Sequence, residues 1–259
     1  MQIKDYIKDF LYCISKELND LDVIAVNGYF ALMTQISLKG FNIDRLSKDL
    51  DLQILNSNKW EYVISNIDNI NKHSKLNITY ELIKVKEAGN IVKYTVKYNG
   101  NSLFSIDANK DPKPYQYDKV KIYDIKINFF KPSVMLADKL SSAASSKIYR
   151  RTKDLYDIYL LSTIFEFKLP KLVKCINSKR NIDTNHIELY NPRNLDDLKR
   201  GYNSLKLKEG SPKPEFEEVY EKLKYFTYPI YMSLKESNPN RLYWNKEEWV
   251  TKDELSNLP

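Results

Sequence analysis

The chain has 259 residues, 42% of them hydrophobic, and 41 Lys and Arg against 34 Asp and Glu give a formal net charge of +7, with an isoelectric point near 9.0. That length supports one or two buried cores, and the basic balance suits an anionic partner such as RNA, DNA or a nucleoside triphosphate. No apolar run approaches the ~20 residues of a membrane span, and charges interrupt the amino-terminal MQIKDYIKDFLYC, so it is not expected to be a signal peptide.

Ile3, Tyr6, Ile7, Phe10, Leu11, Ile14 and Leu18 recur at helical spacing, so the chain opens with an amphipathic helix. DVIAV, residues 22–26, reads as a buried strand ending in an Asn27-Gly28 turn, and YFALMTQ as the helix that follows. In SKDLDLQIL, residues 47–55, Leu50, Leu52 and Ile54 share one face of a strand and Asp49, Asp51 and Gln53 the other. A helix is expected at roughly residues 59–71. A three-stranded meander follows over residues 78–110, with turns at EAGN and Asn99-Gly100. In its last strand Phe104, Ile106 and Ala108 face one way, and Leu103, Ser105 and Asp107 the other. IYDIKINFF reads as one further strand ending at Lys131-Pro132.

Beyond that point the pattern turns helical: VMLADKLSSAA, KDLYDIYLLSTIF, LPKLVKCI, LDDLKRGYNSL and FEEVYEKLKYFTYPIYM. The expected architecture is α+β, with a mixed αβ domain over residues 1–130 and a helical bundle over residues 131–259. Cys13 and Cys175 form no CxxC pair and are expected as reduced, buried thiols of a cytoplasmic protein.

Asp49-x-Asp51 carries the chemistry. Two carboxylates at i and i+2 of a strand project from one face and can bind divalent cations together, which in turn hold the phosphates of a nucleotide. The same pattern on an exposed strand is also ordinary solvated surface. The order strand, Asn27-Gly28 turn, helix, then a DxD strand is that of the DNA polymerase β type of nucleotidyltransferase fold. In that fold backbone amides at a helix amino terminus face the triphosphate. Asp107, on a neighbouring strand, is the candidate third carboxylate. In the helical half, Lys153 and Asp157, and Arg150 and Asp154, stand at i,i+4 spacing, as surface ion pairs often do. His73 and His186 have no ligand-spaced partners and are not expected to bind metal.

NGYFAL, RLSKDLDL, ADKL and RRTKDLYDIYLL, taken in order, resemble the AbiEii nucleotidyltransferase family of abortive-infection and toxin–antitoxin toxins. The resemblance covers most of residues 20–161, and the carboxy-terminal WNKEEWV is similar to the family's Trp-containing terminus. The resemblance implies that Gly28 belongs to the phosphate-facing turn and that Ser47 precedes the metal carboxylates Asp49 and Asp51. As the third carboxylate of that fold, Asp107 is expected to help bind a second metal or to accept the hydroxyl proton. Lys139 would offset phosphate charge, and Asp154 and Asp157 would bind the acceptor or orient Lys139 and Arg151. The expected reaction is Mg²⁺- or Mn²⁺-dependent transfer from an NTP to an acceptor hydroxyl, on RNA and specifically at a tRNA 3′ end, with a cognate antitoxin as partner. Transfer to a small molecule or a protein is the alternative on the same fold. One departure, Tyr29-Phe30 where the family carries small residues, opens a second alternative: a nucleotide- or partner-binding module with little turnover.

Overall fold

The computed structural model describes all residues except 1, 19, 44–47, 69, 71–72, 111–115, 146–150, 180–181, 185–186, 212, 237–238 and 257–259. The chain divides into two compact units. One comprises Met1–Gln35 and Leu46–Lys131, and the other Ile36–Arg45 and Pro132–Pro259.

The first unit opens with α1 (Ile3–Glu17), whose first turn is closed reciprocally by Gln2 and Asp5. Its apolar stripe of Ile7, Phe10, Leu11 and Ile14 is buried, as the spacing predicts. Asp9, on the same helix, is fully buried. Its carboxylate accepts hydrogen bonds from Ser74 Oγ, the backbone amides of Lys75 and Leu76, and Tyr80 Oη, so the charge is compensated where it lies.

A seven-stranded mixed sheet follows, with spatial order β3-β4-β5-β2-β1-β7-β6. The strands are β1 (Ile24–Asn27), β2 (Asp49–Ile54), β3 (Glu81–Ala88), β4 (Ile91–Tyr98), β5 (Asn101–Lys110), β6 (Tyr117–Ile122) and β7 (Ile125–Phe130). β2 runs antiparallel to β1 and parallel to β5. Helix α2 (Gly28–Leu38) leaves directly from the end of β1, and α3 (Trp60–Asp68) follows β2. Val92, Tyr94 and Val96 of β4, Phe104, Ile106 and Ala108 of β5, and Leu50 and Leu52 of β2 are all buried. The Phe10 ring of α1 meets the Phe104 ring edge-on at 5.5 Å between centroids.

The β4–β5 hairpin contains a register shift. Tyr98 pairs with Asn101 and Lys97 with Ser102, across a turn whose Asn99 and Gly100 both have positive φ. Beyond Lys97 the ladder slips by one residue, so that Val96 pairs with Phe104 and Lys93 with Asp107. An unshifted ladder would set Val96, Tyr94 and Val92 opposite Leu103, Ser105 and Asp107, crossing apolar with polar faces. The bulge restores the match.

Two sequence readings require correction here. IYDIKINFF is not one strand: Ile122 ends β6, Tyr123 and Asp124 form a turn with Tyr123 at φ 53°, and Ile125 begins β7. Of DVIAV, only Ile24 onward is strand, since residues 21–23 make a 3-10 turn closed by the Asp20 carboxylate.

In the second unit, α4 (Pro132–Ala143) packs on α5 (Thr152–Ile164) and α6 (Leu169–Lys179), and α5 also contacts α7 (Leu195–Asn203) and α8 (Phe216–Ser233). A small antiparallel sheet is new relative to the sequence reading. Its strands are β8 (Phe167–Lys168), β9 (Tyr243–Trp244) and β10 (Trp249–Val250), before α9 (Lys252–Ser256). It folds WNKEEWV back onto the helices: Trp244 Nε1 donates to the Ser162 carbonyl at 2.6 Å, and Trp249 stacks on Phe226. Cys13 is buried, but Cys175 is only partly so, which revises the expectation of two buried thiols. Among the described residues no helix is long and apolar enough to cross a membrane.

Candidate active site

The polar face of the first unit's sheet gathers the carboxylates singled out in the sequence. Asn27 of β1 is paired with Asp51 of β2, Asp51 with Asp107 of β5, and Asp107 with Lys93 of β4, so these four residues form one row across four adjacent strands. Asp49 lies one step along, opposite Ser105, whose hydroxyl donates to Asp49 Oδ1 at 2.6 Å.

Gly28 explains itself at this point. Its φ is +67°, a region L side chains rarely adopt, and a Cβ built on it would stand 1.7 Å from Asp51 Oδ2 and 2.7 Å from Asp51 Cγ. The missing side chain is the space the Asp51 carboxylate occupies, at the start of α2. A helix amino terminus carries partial positive charge, which favours an anion there. Tyr29 and Phe30, which depart from the family pattern, are both buried, and the Phe30 ring packs 6.2 Å from that of Phe129.

Asp107 has a partner that the sequence reading missed: the Lys93 ammonium is ion-paired with its Oδ2. The signal was the alternation of Lys93, Thr95 and Lys97 with Val92, Tyr94 and Val96, which puts Lys93 on the polar face. Only the bulge sets it opposite Asp107. Among the described residues no group of three or more His, Cys, Asp or Glu side chains is disposed to hold a metal ion. What the fold does offer is the Asp49 and Asp51 pair on one strand face, with the cradle above Gly28. Mg²⁺ is commonly held by one or two carboxylates, with substrate phosphates and water completing its shell. The pair fits that requirement.

The second unit carries its own charged cluster. Asp154 and Asp157 stand three residues apart on α5 and so share a helix face, from which both reach Lys139 on α4. Lys139 Nζ donates to Asp157 Oδ2 at 2.6 Å and to Asp154 Oδ1 at 3.1 Å. Arg151 Nε pairs with Asp154 Oδ2 at 2.7 Å, and its Nη2 donates to Ser142 Oγ at 2.9 Å. Two cationic side chains thus face two carboxylates, so the Asp157 side chain, at 0% exposure, has an ion-pair partner inside the protein. The expected surface pairing of Lys153 with Asp157 gives way to this one: Lys153 is exposed, and Asp157 turns inward to Lys139. Ser47, Arg150 and His186 lie outside the described residues. His73 stands 3.5 Å from Glu17 Oε1.

The chain resembles MenT4, a nucleotidyltransferase toxin of Mycobacterium tuberculosis, with a TM-score of 0.61 at 12% identity over 90% of this chain and 84% of that one. It also resembles JHP933 of Helicobacter pylori, with a TM-score of 0.54 at 18% identity over 90% and 94% of the two chains. A putative nucleotidyltransferase of H. pylori gives a TM-score of 0.53 at 17% identity over 89% and 96%. Identities this low show the fold. No curated protein matches by sequence. The family described as nucleotidyl transferase AbiEii toxin, type IV toxin–antitoxin system, matches residues 34–222, a span that contains Asp49, Asp51, Asp107, Lys139 and Asp157 and excludes Gly28 and WNKEEWV. With well over half of its length matched, the chain belongs to the AbiEii family of nucleotidyltransferase toxins, and it is a nucleotidyltransferase.

Proposed function

We propose that the protein transfers a nucleotide from an NTP to a hydroxyl of an RNA acceptor, a tRNA 3′ end, and that the Asp49 and Asp51 face of β2 binds the triphosphate with a divalent cation. The observation that carries this reading is the Asp51 carboxylate seated over the Cβ-less Gly28 at the start of α2. A divalent ion bound by Asp49 and Asp51 supplies charge neutralisation on the phosphates.

The chain's own residues do the rest. Ser105 fixes the Asp49 carboxylate through its hydroxyl, and Gly28 leaves room for Asp51, so both carboxylates are oriented before substrate arrives. The first amides of α2 offer donors to a phosphate oxygen. Lys139, Arg151, Asp154 and Asp157 are the charged residues of the second unit that we assign to the reaction. The excess of 41 basic over 34 acidic residues supports a polyanionic acceptor. Membership of a type IV toxin family supports a cognate antitoxin and a cytoplasmic site of action.

The test is incubation of the purified protein with each radiolabelled NTP, Mg²⁺ and total tRNA. Label appearing on tRNA, and lost in Asp51→Asn, is the expected result. Transfer that survives Asp51→Asn overturns the carboxylate assignment. Label appearing only on a small molecule or a protein overturns the RNA acceptor.

A further inference from the structure

Lys93 belongs to none of the motifs read from the sequence, yet it is the residue that meets Asp107. It sits on β4 in the same row as Asp51 and Asp107, and its ammonium pairs with Asp107 Oδ2. Side-chain exposures of 39% and 31% place the pair on the sheet's polar face rather than in the core.

The row reads carboxylate, carboxylate, ammonium on strands roughly 4.8 Å apart. Like charges directly opposite on neighbouring strands destabilise one another unless a cation compensates them. A metal ion between the two aspartates is one remedy. This chain carries another, because the bulge after Lys97 brings an ammonium to Asp107 where an unshifted ladder would bring Val92.

We propose that Lys93 is a positioning residue that stands in for a second divalent cation. It holds Asp107 in an ion pair, so the protein takes one divalent ion, at Asp49 and Asp51, instead of two. The inference rests on the assignment of Asp49 and Asp51 as metal carboxylates. A lysine tethered to β4 keeps a positive charge beside Asp107 whether or not nucleotide is bound, whereas a second metal ion would enter and leave with substrate.

The test is a Mn²⁺ titration of the full chain followed by electron paramagnetic resonance, which counts bound ions without requiring turnover. Wild type is expected to bind one Mn²⁺. Lys93→Met, by freeing Asp107, is expected to bind a second with at least tenfold higher affinity than wild type shows for any second ion. Lys93→Arg, which keeps the cation, should return the count to one, and Lys93→Met combined with Asp107→Asn should do the same. Lys93→Gln, with circular dichroism on every variant, guards against a folding defect.

A wild-type count of two, or an unchanged count and affinity in both Lys93→Met and Lys93→Gln, overturns the proposal. In that event loss of Mn²⁺ in Asp51→Asn still upholds the carboxylate assignment. Binding that is absent from wild type, or indifferent to Asp51→Asn, removes the assignment and the proposal together.

Discussion

Replacing Gly28 by alanine introduces a single methyl group at the most crowded point of the carboxylate face. Two costs follow. The backbone at φ +67° is strained for any L residue, by about 1–2 kcal/mol. The new Cβ also falls 1.7 Å from Asp51 Oδ2, so the carboxylate must swing aside. That atom is the far end of a flexible side chain, so its displacement costs little stability but moves the group the reaction depends on. For a domain of this size, ~1 kcal/mol lowers the melting temperature by about 2–4 °C, giving an expected fall of roughly 2–8 °C in scanning fluorimetry. A reacting group misplaced by about 1 Å costs on the order of 100-fold in rate, and the same loss is expected in labelled-NTP transfer to tRNA. Asp51→Asn should lose comparable activity with little thermal cost. The double substitution should lose hardly more than either alone, because both act through one carboxylate. Gly28→Ala retaining activity within about threefold of wild type would refute the argument, as would a double variant whose losses multiply.

Three further outcomes are expected. Lys139→Met leaves Asp154 and the fully buried Asp157 without their shared ammonium, and should destabilise the protein by about 3–5 kcal/mol in urea unfolding, part of which Asp157→Asn in the same chain should restore. Burial pushes the Cys13 thiol up to about 12, and burial likewise raises Tyr80, Tyr94, Tyr190, Tyr202 and Tyr231. Above about pH 9 the unfolded chain releases these protons while the folded one keeps them, so melting temperature should hold below pH 9 and fall steadily towards pH 11, with native Cys13 resisting iodoacetamide that labels it in urea. Trp244→Ala removes a ring of 1% exposure and its bond to the Ser162 carbonyl, and should cost about 3–5 kcal/mol in urea unfolding.

The parts of this architecture that could be read from sequence are those with an uninterrupted period. β2 alternates from Asp49 to Leu52 and β5 from Leu103 to Ala108, so the shared face of Asp49 and Asp51, and the face of Asp107, were legible in the sequence. The Asn99-Gly100 turn was legible for the same reason: both residues tolerate positive φ. Tyr123 hid the β6–β7 turn, because nothing about a tyrosine announces φ 53°. The only clue was the slip from Ile122 to Ile125, three residues where a continuous strand needs two. Two-residue strands such as β8, β9 and β10 are too short to show any alternation, so the small sheet was invisible.

Burial of charge was the harder matter. Local spacing offered Lys153 to Asp157, but the partner that holds Asp157 is Lys139, on another helix; helical period does not show a pairing set by packing, and only the family resemblance, by which Asp154 and Asp157 orient Lys139 and Arg151, pointed to it. Lys93 was missed for a related reason: its face was readable, its register was not.

The slip after Lys97 also makes the chain unequally sensitive to small changes in length. Residues added at the Asn99-Gly100 tip only enlarge a solvent-facing loop. Deletion of Leu103 takes out only the residue of β5 that has no pair in the ladder: Ser102 and Phe104 then follow one another opposite Lys97 and Val96, and Asp107 keeps its place opposite Lys93. Deletion of Ser105 is another matter, since holding Asp107 opposite Lys93 then sets Phe104 opposite Thr95 on the polar face. Changes of length should therefore accumulate at the tip of the hairpin and at Leu103, and spare the paired residues below them.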